Sequence, residues 1–243
     1  MGRLTDRIGP LLPRPLRRVV GRLGVRAPSS RPEDPLWHRA AVGGLWEEIG
    51  RLQFDFLVDQ GLQPHHSLLD VGCGSLRGGV HFVRYLKTGH YWGVDIDERL
   101  LEAGRGEVEQ LGLASKRPVL VPMGDFGFTA LGREFEFALA QSVFTHLPLN
   151  GIVRCLMEME RVLTSGGRFY ATFFENPAGK GELGPIEHPT ADGLTVVSHF
   201  DRDPYHYDVD TFRWICRGTG LEVELIGAWN HPRDQRMLLF RKR

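Results

Sequence analysis

One segment restricts the possible folds of this 243-residue chain more than any other: Leu68-Leu69-Asp70-Val71-Gly72-Cys73-Gly74. A short, mostly apolar run enters a glycine turn, which predicts a buried strand followed by the first turn of a helix. Glycine lacks a Cβ, so the backbone of Gly72 and Gly74 can bend sharply and approach a ligand closely. The helix N-terminus beyond the turn favours negatively charged groups. Several nucleotide-binding folds share such a turn, so its meaning depends on the surrounding sequence.

Strand and helix patterns alternate around this turn. Before it, apolar residues recur at the spacing of one helix face, at Leu45, Ile49, Leu52 and Phe56. Further helices are predicted near 78–86, 98–111, 149–163 and 209–217, strands near 91–95, 118–122, 135–141, 168–174, 221–226 and 236–241, and a Gly/Pro-rich loop over 176–200. Alternation at this short spacing predicts an α/β fold in which helices cover both faces of a mostly parallel sheet.

Composition argues against several classes of protein. With 42% hydrophobic and 25% charged residues, the chain suits one large globular domain with a short appendage. Thirty basic and thirty acidic residues give zero net charge, which argues against a nucleic-acid binder. No run approaches the roughly 20 apolar residues of a membrane span. Cys73, Cys155 and Cys216 lie far apart and match neither a disulfide framework nor a zinc pattern, so we expect a cytoplasmic protein.

The amino-terminal segment 1–35 is predicted to be a basic Arg/Pro-rich extension of a domain that covers 36–243. Residues 1–30 carry seven arginines and one aspartate, and their apolar pattern is interrupted at Pro10, Pro13 and Pro15. No uninterrupted apolar stretch follows the arginines, which argues against a signal peptide. A tail, a lid over the domain and a segment that docks on an anionic membrane surface are the alternatives.

Acidic residues lie at the ends of three of the predicted strands. Position 77 is arginine, so the third glycine of a dinucleotide fingerprint is missing, and no Gly-Lys-Ser/Thr of a phosphate-binding loop follows the turn. Asp70 beside the turn suits an amine-bearing or cationic ligand better than a pyrophosphate. Asp95 could accept hydrogen bonds from both hydroxyls of a ribose, and Asp125-Phe126 offers an acceptor for an exocyclic amine and a ring to cover an adenine. Together these residues describe an adenosine pocket without a phosphate site.

Over residues 45–243 the chain resembles the class I S-adenosylmethionine-dependent methyltransferases. The segments that carry the resemblance are Leu69-Asp70-Val71-Gly72-Cys73-Gly74, Gly93-Val94-Asp95-Ile96-Asp97, Gly124-Asp125-Phe126, Gln141-Ser142-Val143-Phe144-Thr145-His146-Leu147 and Arg161-Val162-Leu163-Thr164-Ser165-Gly166-Gly167-Arg168. The resemblance implies a Rossmann-like sheet of seven strands, six parallel and one antiparallel, in which 236–241 is the antiparallel strand. It also implies S-adenosyl-L-methionine as the cofactor. We expect 176–207 to be a loop or lid at the acceptor site.

The resemblance also implies which residues bind the cofactor. The methionine part would be bordered by Asp70, Gly72 and Gly74, the ribose by Asp95, and the adenine by Asp125 and Phe126, with Ile96 as a further cofactor contact and Gln141 lining the pocket under the cofactor. The chain departs from the family at Leu76, where a third glycine is usual, so we expect a reshaped turn. Arg77 is then a candidate partner of the methionine carboxylate, with a surface or helix-capping role as the alternative.

Methyl transfer to a hydroxyl requires alignment of the reacting atoms and removal of a proton. His146, just past the fourth predicted strand of the domain, is the first candidate base. His206 and Glu175 are further catalytic candidates, and each of the three could instead be structural. The histidines and acids between 187 and 203 match no defined metal site, so no metal is expected.

These observations predict a methyltransferase with a small-molecule acceptor, and specifically O-methylation of a natural-product or sugar hydroxyl. A peripheral membrane enzyme that methylates a glycolipid or isoprenoid is the nearest alternative, because residues 1–30 are basic. A cofactor-binding scaffold or a cyclase on the same fold is another. A nucleic-acid partner is not expected. The oligomeric state is left open by the sequence.

Overall fold

A computed structural model describes residues 34–177, 183–191 and 193–243. The basic extension predicted over 1–35 therefore lies almost wholly outside the described residues. The helices are α1 (Trp37–Ala41), α2 (Trp46–Asp59), α3 (Gly79–Tyr85), α4 (Glu98–Gln110), α5 (Leu149–Val162) and α6 (Val209–Cys216). The strands are β1 (Leu68–Val71), β2 (Tyr91–Asp95), β3 (Val119–Pro122), β4 (Phe135–Ala140), β5 (Leu163–Glu175), β6 (Ile186–Pro189), β7 (Thr195–Ser198), β8 (His206–Tyr207), β9 (Leu221–Gly227) and β10 (Arg236–Lys242).

Seven strands form the central sheet in the order β3-β2-β1-β4-β5-β10-β9. β1 pairs in parallel with β2 and β4, and parallel pairing continues to β3 on one side and to β5 on the other. β10 runs antiparallel to both β5 and β9, so β9 shares the direction of the first five strands. The predicted Rossmann-like sheet is confirmed, with 236–241 inside its one antiparallel strand.

Helices cover both faces of this sheet. On one face Phe144, which follows β4, stacks on Phe212 of α6 with ring centroids 6.0 Å apart. On the other face α2 and α3 bury Leu57 and Phe82 in a cluster that includes Tyr170 of β5. Each buried side chain of this size stabilises the fold by roughly 1.5–3 kcal/mol. Burial on both faces explains why the central strands are apolar runs rather than alternating patterns.

The described helices are short. The longest, α2 and α5, have 14 residues each. Within the described ranges no helix is long and apolar enough to cross a membrane. The three cysteines are buried free thiols, so the domain is held together by packing and hydrogen bonds rather than by a disulfide.

The loop predicted over 176–200 is wrong in its central part, where the structure has an antiparallel hairpin. β6 and β7 pair with Glu187 opposite Val197 and His188 opposite Val196. The buried side chains of the hairpin are polar, and His188 Nε2 lies 2.7 Å from Ser198 Oγ. Strands are recognised in a sequence by alternating apolar residues. A hairpin whose inward side chains are a histidine and a serine lacks that pattern.

The carboxyl ends of β1 to β5 meet at one edge of the sheet. β10 runs in the opposite direction and starts at the same edge, where Arg236 pairs with Phe173 of β5. β8 extends the edge by pairing with the end of β5. In open α/β sheets, ligands bind at this edge, beside the point where the strand order reverses. Here that point lies between β1 and β4.

A reshaped turn is expected at Leu76, but the backbone there has a conformation that suits glycine, and the leucine is accommodated by packing. Leu76 has a φ of 72°, the left-handed conformation that glycine favours, and it is fully buried. A Cβ on Gly79 would lie 2.8 Å from Leu76 Cδ2, and a Cβ on Gly104 would lie 2.9 Å from Leu76 Cγ. α3 and α4 therefore each present a glycine to this leucine. Its burial offsets a backbone conformation that costs an L-residue roughly 1–2 kcal/mol.

We predict that Leu76→Gly destabilises the fold no more than Leu76→Ala does. Both variants lose buried apolar surface, which costs about 2–5 kcal/mol for leucine to alanine, but only glycine relieves the left-handed strain. The matched control is Leu101, which is equally buried and lies within α4. There glycine should be about 1 kcal/mol worse than alanine. Urea unfolding of the four variants measures both differences, and the same penalty for glycine at both positions would contradict strain at Leu76.

Candidate active site

The glycine turn after β1 is closed in by apolar side chains. Gly72 and Gly74 have φ values of 68° and 54°, which only glycine adopts readily. A Cβ on Gly72 would lie 2.5 Å from Val143 Cγ2, and a Cβ on Gly74 would lie 2.7 Å from Val42 Cγ1. Both positions therefore require glycine for its conformation and for its lack of a side chain. The turn lies between the segment that follows α1 and the segment that follows β4.

Asp95 joins the end of β2 to this turn. Its Oδ2 accepts a hydrogen bond from Gly74 N at 2.8 Å, and its Oδ1 accepts one from Asp97 N at 2.9 Å. Burial raises the pKa of Asp95, and the two backbone donors oppose that rise. Each carboxylate oxygen has a second lone pair, so Asp95 can also accept from the hydroxyls of a ligand. Ile96, the next residue, is 63% exposed and offers apolar surface at the same strand end.

The segment after β3 lies against Ile96. A Cβ on Gly124 would lie 3.0 Å from Ile96 Cδ1, so the ends of β2 and β3 are in contact here. Asp125 is exposed, and its Oδ1 accepts a backbone N–H two residues later at 3.1 Å. Phe126 has a φ of 59° and packs edge-on against Phe128, with ring centroids 5.9 Å apart. An apolar side chain, a carboxylate and an aromatic ring thus lie at two adjacent strand ends.

Asp70 is a buried carboxyl group in β1, just before the turn. The hydroxyl of Tyr91 donates a hydrogen bond to Asp70 Oδ2 at 2.7 Å. Burial raises the pKa of Asp70 to about 7, while the Tyr91 hydrogen bond and the positive charge of Arg77 act to lower it. A positively charged ligand group would favour the ionised carboxylate. Asp70 therefore fits the ammonium group of a ligand.

Arg77 is a buried guanidinium that connects three segments. Its Nη1 donates to the carbonyl oxygens of Val42 and Gly44, each at 2.9 Å, and its Nη2 donates to Gln141 Oε1 at 2.7 Å. Burial lowers the pKa of Arg77 to about 9, and repulsion from Arg233 adds to this effect. Among the residues that the structure describes, none forms a hydrogen bond with the buried Nε of Arg77. A buried charged donor of this kind fits a carboxylate ligand.

A polar network that the sequence does not reveal lies between the end of β4 and the start of β10. Gln141 Nε2 lies 3.0 Å from His231 Nε2, while the hydroxyls of Ser142 and Thr172 donate to Gln235 Oε1 at 3.0 and 2.7 Å. Burial lowers the pKa of His231 to about 3, and its Nδ1 accepts a hydrogen bond from Arg233 N at 3.2 Å. Single histidine and glutamine residues in a loop give no signal in a sequence. Only the pairing of β10 with β5 brings them to the site.

His146 stands in a 3-10 turn, Phe144–His146, that follows β4. Its Nδ1 lies 2.5 Å from Oδ1 of Asp203, a residue that the sequence analysis did not select. The side chain of His146 is 39% exposed and that of Asp203 is 19% exposed. The imidazole is therefore held at one nitrogen and open on its other side, which is the arrangement of an oriented general base.

The other two catalytic candidates have partners in the scaffold. His206 is fully buried, and its Nδ1 lies 3.0 Å from Oγ of Ser198, which also contacts His188 of the hairpin. Glu175, at the end of β5, faces Arg236, with 3.6 Å between Oε2 and Nε. These contacts favour a structural role for both residues. His146 is therefore the stronger candidate base.

Comparison with known proteins agrees with this geometry. Residues 68–167, from β1 into β5, match a family model described as a methyltransferase domain. Residues 68–167 are therefore a methyltransferase domain, and the sheet around them has the class I S-adenosylmethionine-dependent fold. The magnesium protoporphyrin IX methyltransferase of Synechocystis, solved with S-adenosylmethionine bound, shares the fold of this domain with a TM-score of 0.56 and 14% identity over 81% of each chain.

Two further solved structures share the fold of the methyltransferase domain. One is an S-adenosylmethionine-dependent methyltransferase from Clostridium acetobutylicum, with a TM-score of 0.61 and 11% identity over 83% of this chain and 94% of that one. The other is the CcbJ methyltransferase from Streptomyces caelestis, with a TM-score of 0.61 and 15% identity over 83% of this chain and 98% of that one.

The strand-end residues of this domain fit S-adenosyl-L-methionine, the cofactor of its class. Gly72 has no side chain and is exposed, so a ligand can approach its backbone closely, whereas Gly74 is buried against Val42. The buried carboxyl of Asp70 could accept from an ammonium group, and the buried Nε of Arg77 could donate to a carboxylate. Asp95 could accept from ribose hydroxyls, beside the apolar surface of Ile96.

We predict that Asp70→Asn gains stability relative to the wild type as the pH rises from about 5 to about 8. The pKa of Asp70 is about 7 in the folded state against 3.8 as its ordinary value, so the folded protein binds the proton more tightly. The stability from this group is fully present below the ordinary pKa and is lost as the pH rises through about 7. The relative gain of the asparagine variant should be roughly 2–3 kcal/mol.

Urea unfolding at the two pH values measures this gain. Asp59→Asn, which removes an exposed carboxyl group near the end of α2, is the control and should show little change. A difference between wild type and Asp70→Asn that stays constant with pH would contradict the burial of a titrating carboxyl at this position.

Proposed function

We propose that this methyltransferase acts in the cytoplasm and methylates a hydroxyl group of a small molecule, a natural-product intermediate or a sugar. The observation that carries the proposal is His146, whose half-exposed imidazole lies past the end of β4 and is oriented by Asp203. The Synechocystis enzyme with the same fold is named for a small-molecule acceptor, which supports an acceptor of this size here.

In this proposal the cofactor supplies a methyl group on a positively charged sulfur, and the chain supplies binding and proton transfer. Asp70 accepts from the ammonium of the methionine part, and Arg77 Nε donates to its carboxylate. Asp95 accepts from the ribose hydroxyls. Ile96, Asp125 and Phe126 would hold the adenine, and Gln141 orients Arg77 by accepting a hydrogen bond from it.

The presence of a candidate base favours oxygen as the acceptor atom. An alcohol is a weak nucleophile until it loses its proton, whereas a free amine or a carboxylate needs little help. His146 could take that proton and release it to solvent, because its side chain is 39% exposed. The buried, scaffold-bound His206 lacks such a route to solvent.

We predict that Asp95→Ala weakens the affinity for S-adenosylhomocysteine by about 10-fold or more, because hydrogen bonds to a charged group contribute roughly 1.5–3 kcal/mol. Isothermal titration calorimetry of the full chain measures this affinity. Asp97→Asn is the control, since the carboxyl of Asp97 caps α4 and pairs with Arg99 at its start. Thermal unfolding of both variants checks that the fold is intact. An unchanged dissociation constant in folded Asp95→Ala would remove this residue from the cofactor site.

We also predict that His146→Ala lowers turnover by about 10²–10⁴-fold while leaving the affinity for S-adenosylhomocysteine unchanged. The full chain is incubated with S-adenosylmethionine and a panel of small hydroxyl and amine compounds, and methylated products are detected by mass spectrometry. His65→Ala, at an exposed histidine, is the control and should keep wild-type turnover. Methyl ethers are the expected products. Methylation of amines alone, or full turnover in His146→Ala, would contradict an O-methyltransferase with this base.

A further inference from the structure

The contact between His146 and Asp203 defines which nitrogen of the imidazole faces outward. A neutral imidazole has one N–H and one lone pair, and Nδ1 lies 2.5 Å from Asp203 Oδ1. An ionised carboxylate can only accept, so this contact requires a hydrogen on Nδ1 and leaves the lone pair on Nε2. Within the described parts of the chain, no residue forms a hydrogen bond to Nε2 of His146.

Backbone hydrogen bonds fix the position of Asp203 relative to His146. Tyr205 N donates to the carbonyl of Thr145 at 2.7 Å, which joins the residue before His146 to the loop that carries Asp203. The same loop is closed by His199 N, which donates to the carbonyl of Pro204 at 2.7 Å. These main-chain hydrogen bonds hold the loop that carries Asp203 next to His146. The carboxylate and the imidazole are therefore kept close to each other by the backbone.

We propose that Asp203 is a positioning residue that holds His146 in the tautomer with hydrogen on Nδ1 and directs Nε2 toward an acceptor hydroxyl. This inference rests on the proposed function and assigns a hydroxyl, not an amine, to the acceptor. As the acceptor oxygen bonds to the methyl carbon, its proton passes to Nε2, and the electron pair of the broken carbon–sulfur bond stays on sulfur. The carboxylate of Asp203 stabilises the imidazolium that results, and the proton then leaves to solvent.

The direct test is the tautomer of His146, read by nitrogen NMR of the full chain labelled at histidine and measured well above the pH range of histidine titration. Loss of one set of signals in His146→Gln assigns the residue among the ten histidines. We expect hydrogen on Nδ1 in the wild type and a shift toward hydrogen on Nε2 in Asp203→Asn, because the asparagine amide can donate to Nδ1. Asp201→Asn is the matched control, since Asp201 lies on the same loop, is exposed and pairs with Arg202. It should keep the wild-type tautomer.

Hydrogen on Nε2 in the wild type, or the same tautomer in all variants, would overturn the inference. A second measurement uses the hydroxyl acceptor found in the product screen. Asp203→Asn should lower kcat by about 10²-fold or more with KM and S-adenosylhomocysteine affinity within about twofold of wild type, and Asp203→Glu should restore part of kcat. A purely structural loop residue would change KM, binding and stability together.

Failure of the inference and failure of the proposed function are distinguishable in these experiments. A wild-type chain that does not bind S-adenosylhomocysteine refutes the proposed function. A wild-type chain that binds it and methylates a hydroxyl, while Asp203→Asn leaves both the tautomer and kcat unchanged, refutes only the role of Asp203.

Discussion

Burial of the Arg77 guanidinium is the constraint on which the geometry of this site depends. A charge removed from water destabilises a fold by several kcal/mol unless hydrogen bonds compensate for it. Here the compensation comes from two backbone carbonyls after α1 and from the side chain of Gln141 after β4. These bonds draw the 42–44 segment onto the glycine turn, where Val42 lies against Gly74. One buried cation thus joins the amino-terminal segment, the first strand and the fourth strand into a single wall.

The same burial creates an electrostatic preference for a ligand that carries both charges of an amino acid. Asp70 and Arg77 flank one turn, and burial shifts both pKa values toward neutrality, upward for the acid and downward for the base. Within the described residues neither side chain has a charged hydrogen-bond partner, because Asp70 accepts from the hydroxyl of Tyr91 and Arg77 donates to uncharged oxygen atoms. An ammonium beside Asp70 and a carboxylate beside Arg77 would stabilise both charges at once. These two charges belong to the methionine part of the proposed cofactor, and the adenosine contacts proposed for Asp95 do not depend on them.

The strand-end residues proposed for the cofactor follow from the sequence more directly than the contacts of His146, the proposed base. Asp70, Gly72, Gly74 and Asp95 are recognisable because each belongs to a strand end or a tight turn, features that leave local patterns. Asp203 lies 57 residues from His146 along the chain, and no local pattern connects the two. The hairpin was missed for a related reason, since its inward residues are polar. The β10 network was missed because it depends on one strand pairing, between β10 and β5, that no periodicity reveals.

The difference in predictability between the two halves of the proposed site has a physical origin in the elements that form them. The cofactor side uses strand ends of the central sheet, which any chain with this fold must form in the same order. The proposed acceptor side includes the polar hairpin, where His188 and Ser198 are 2.7 Å apart and Ser198 is 3.0 Å from His206 of β8. These side-chain contacts connect β6 and β7 to β8, and β8 is paired with the end of β5. The loop that carries Asp203 lies between β7 and β8, so the polar contacts beneath it hold the acceptor side against the sheet. A layer added to the sheet edge in this way can change with the acceptor while the cofactor side stays fixed.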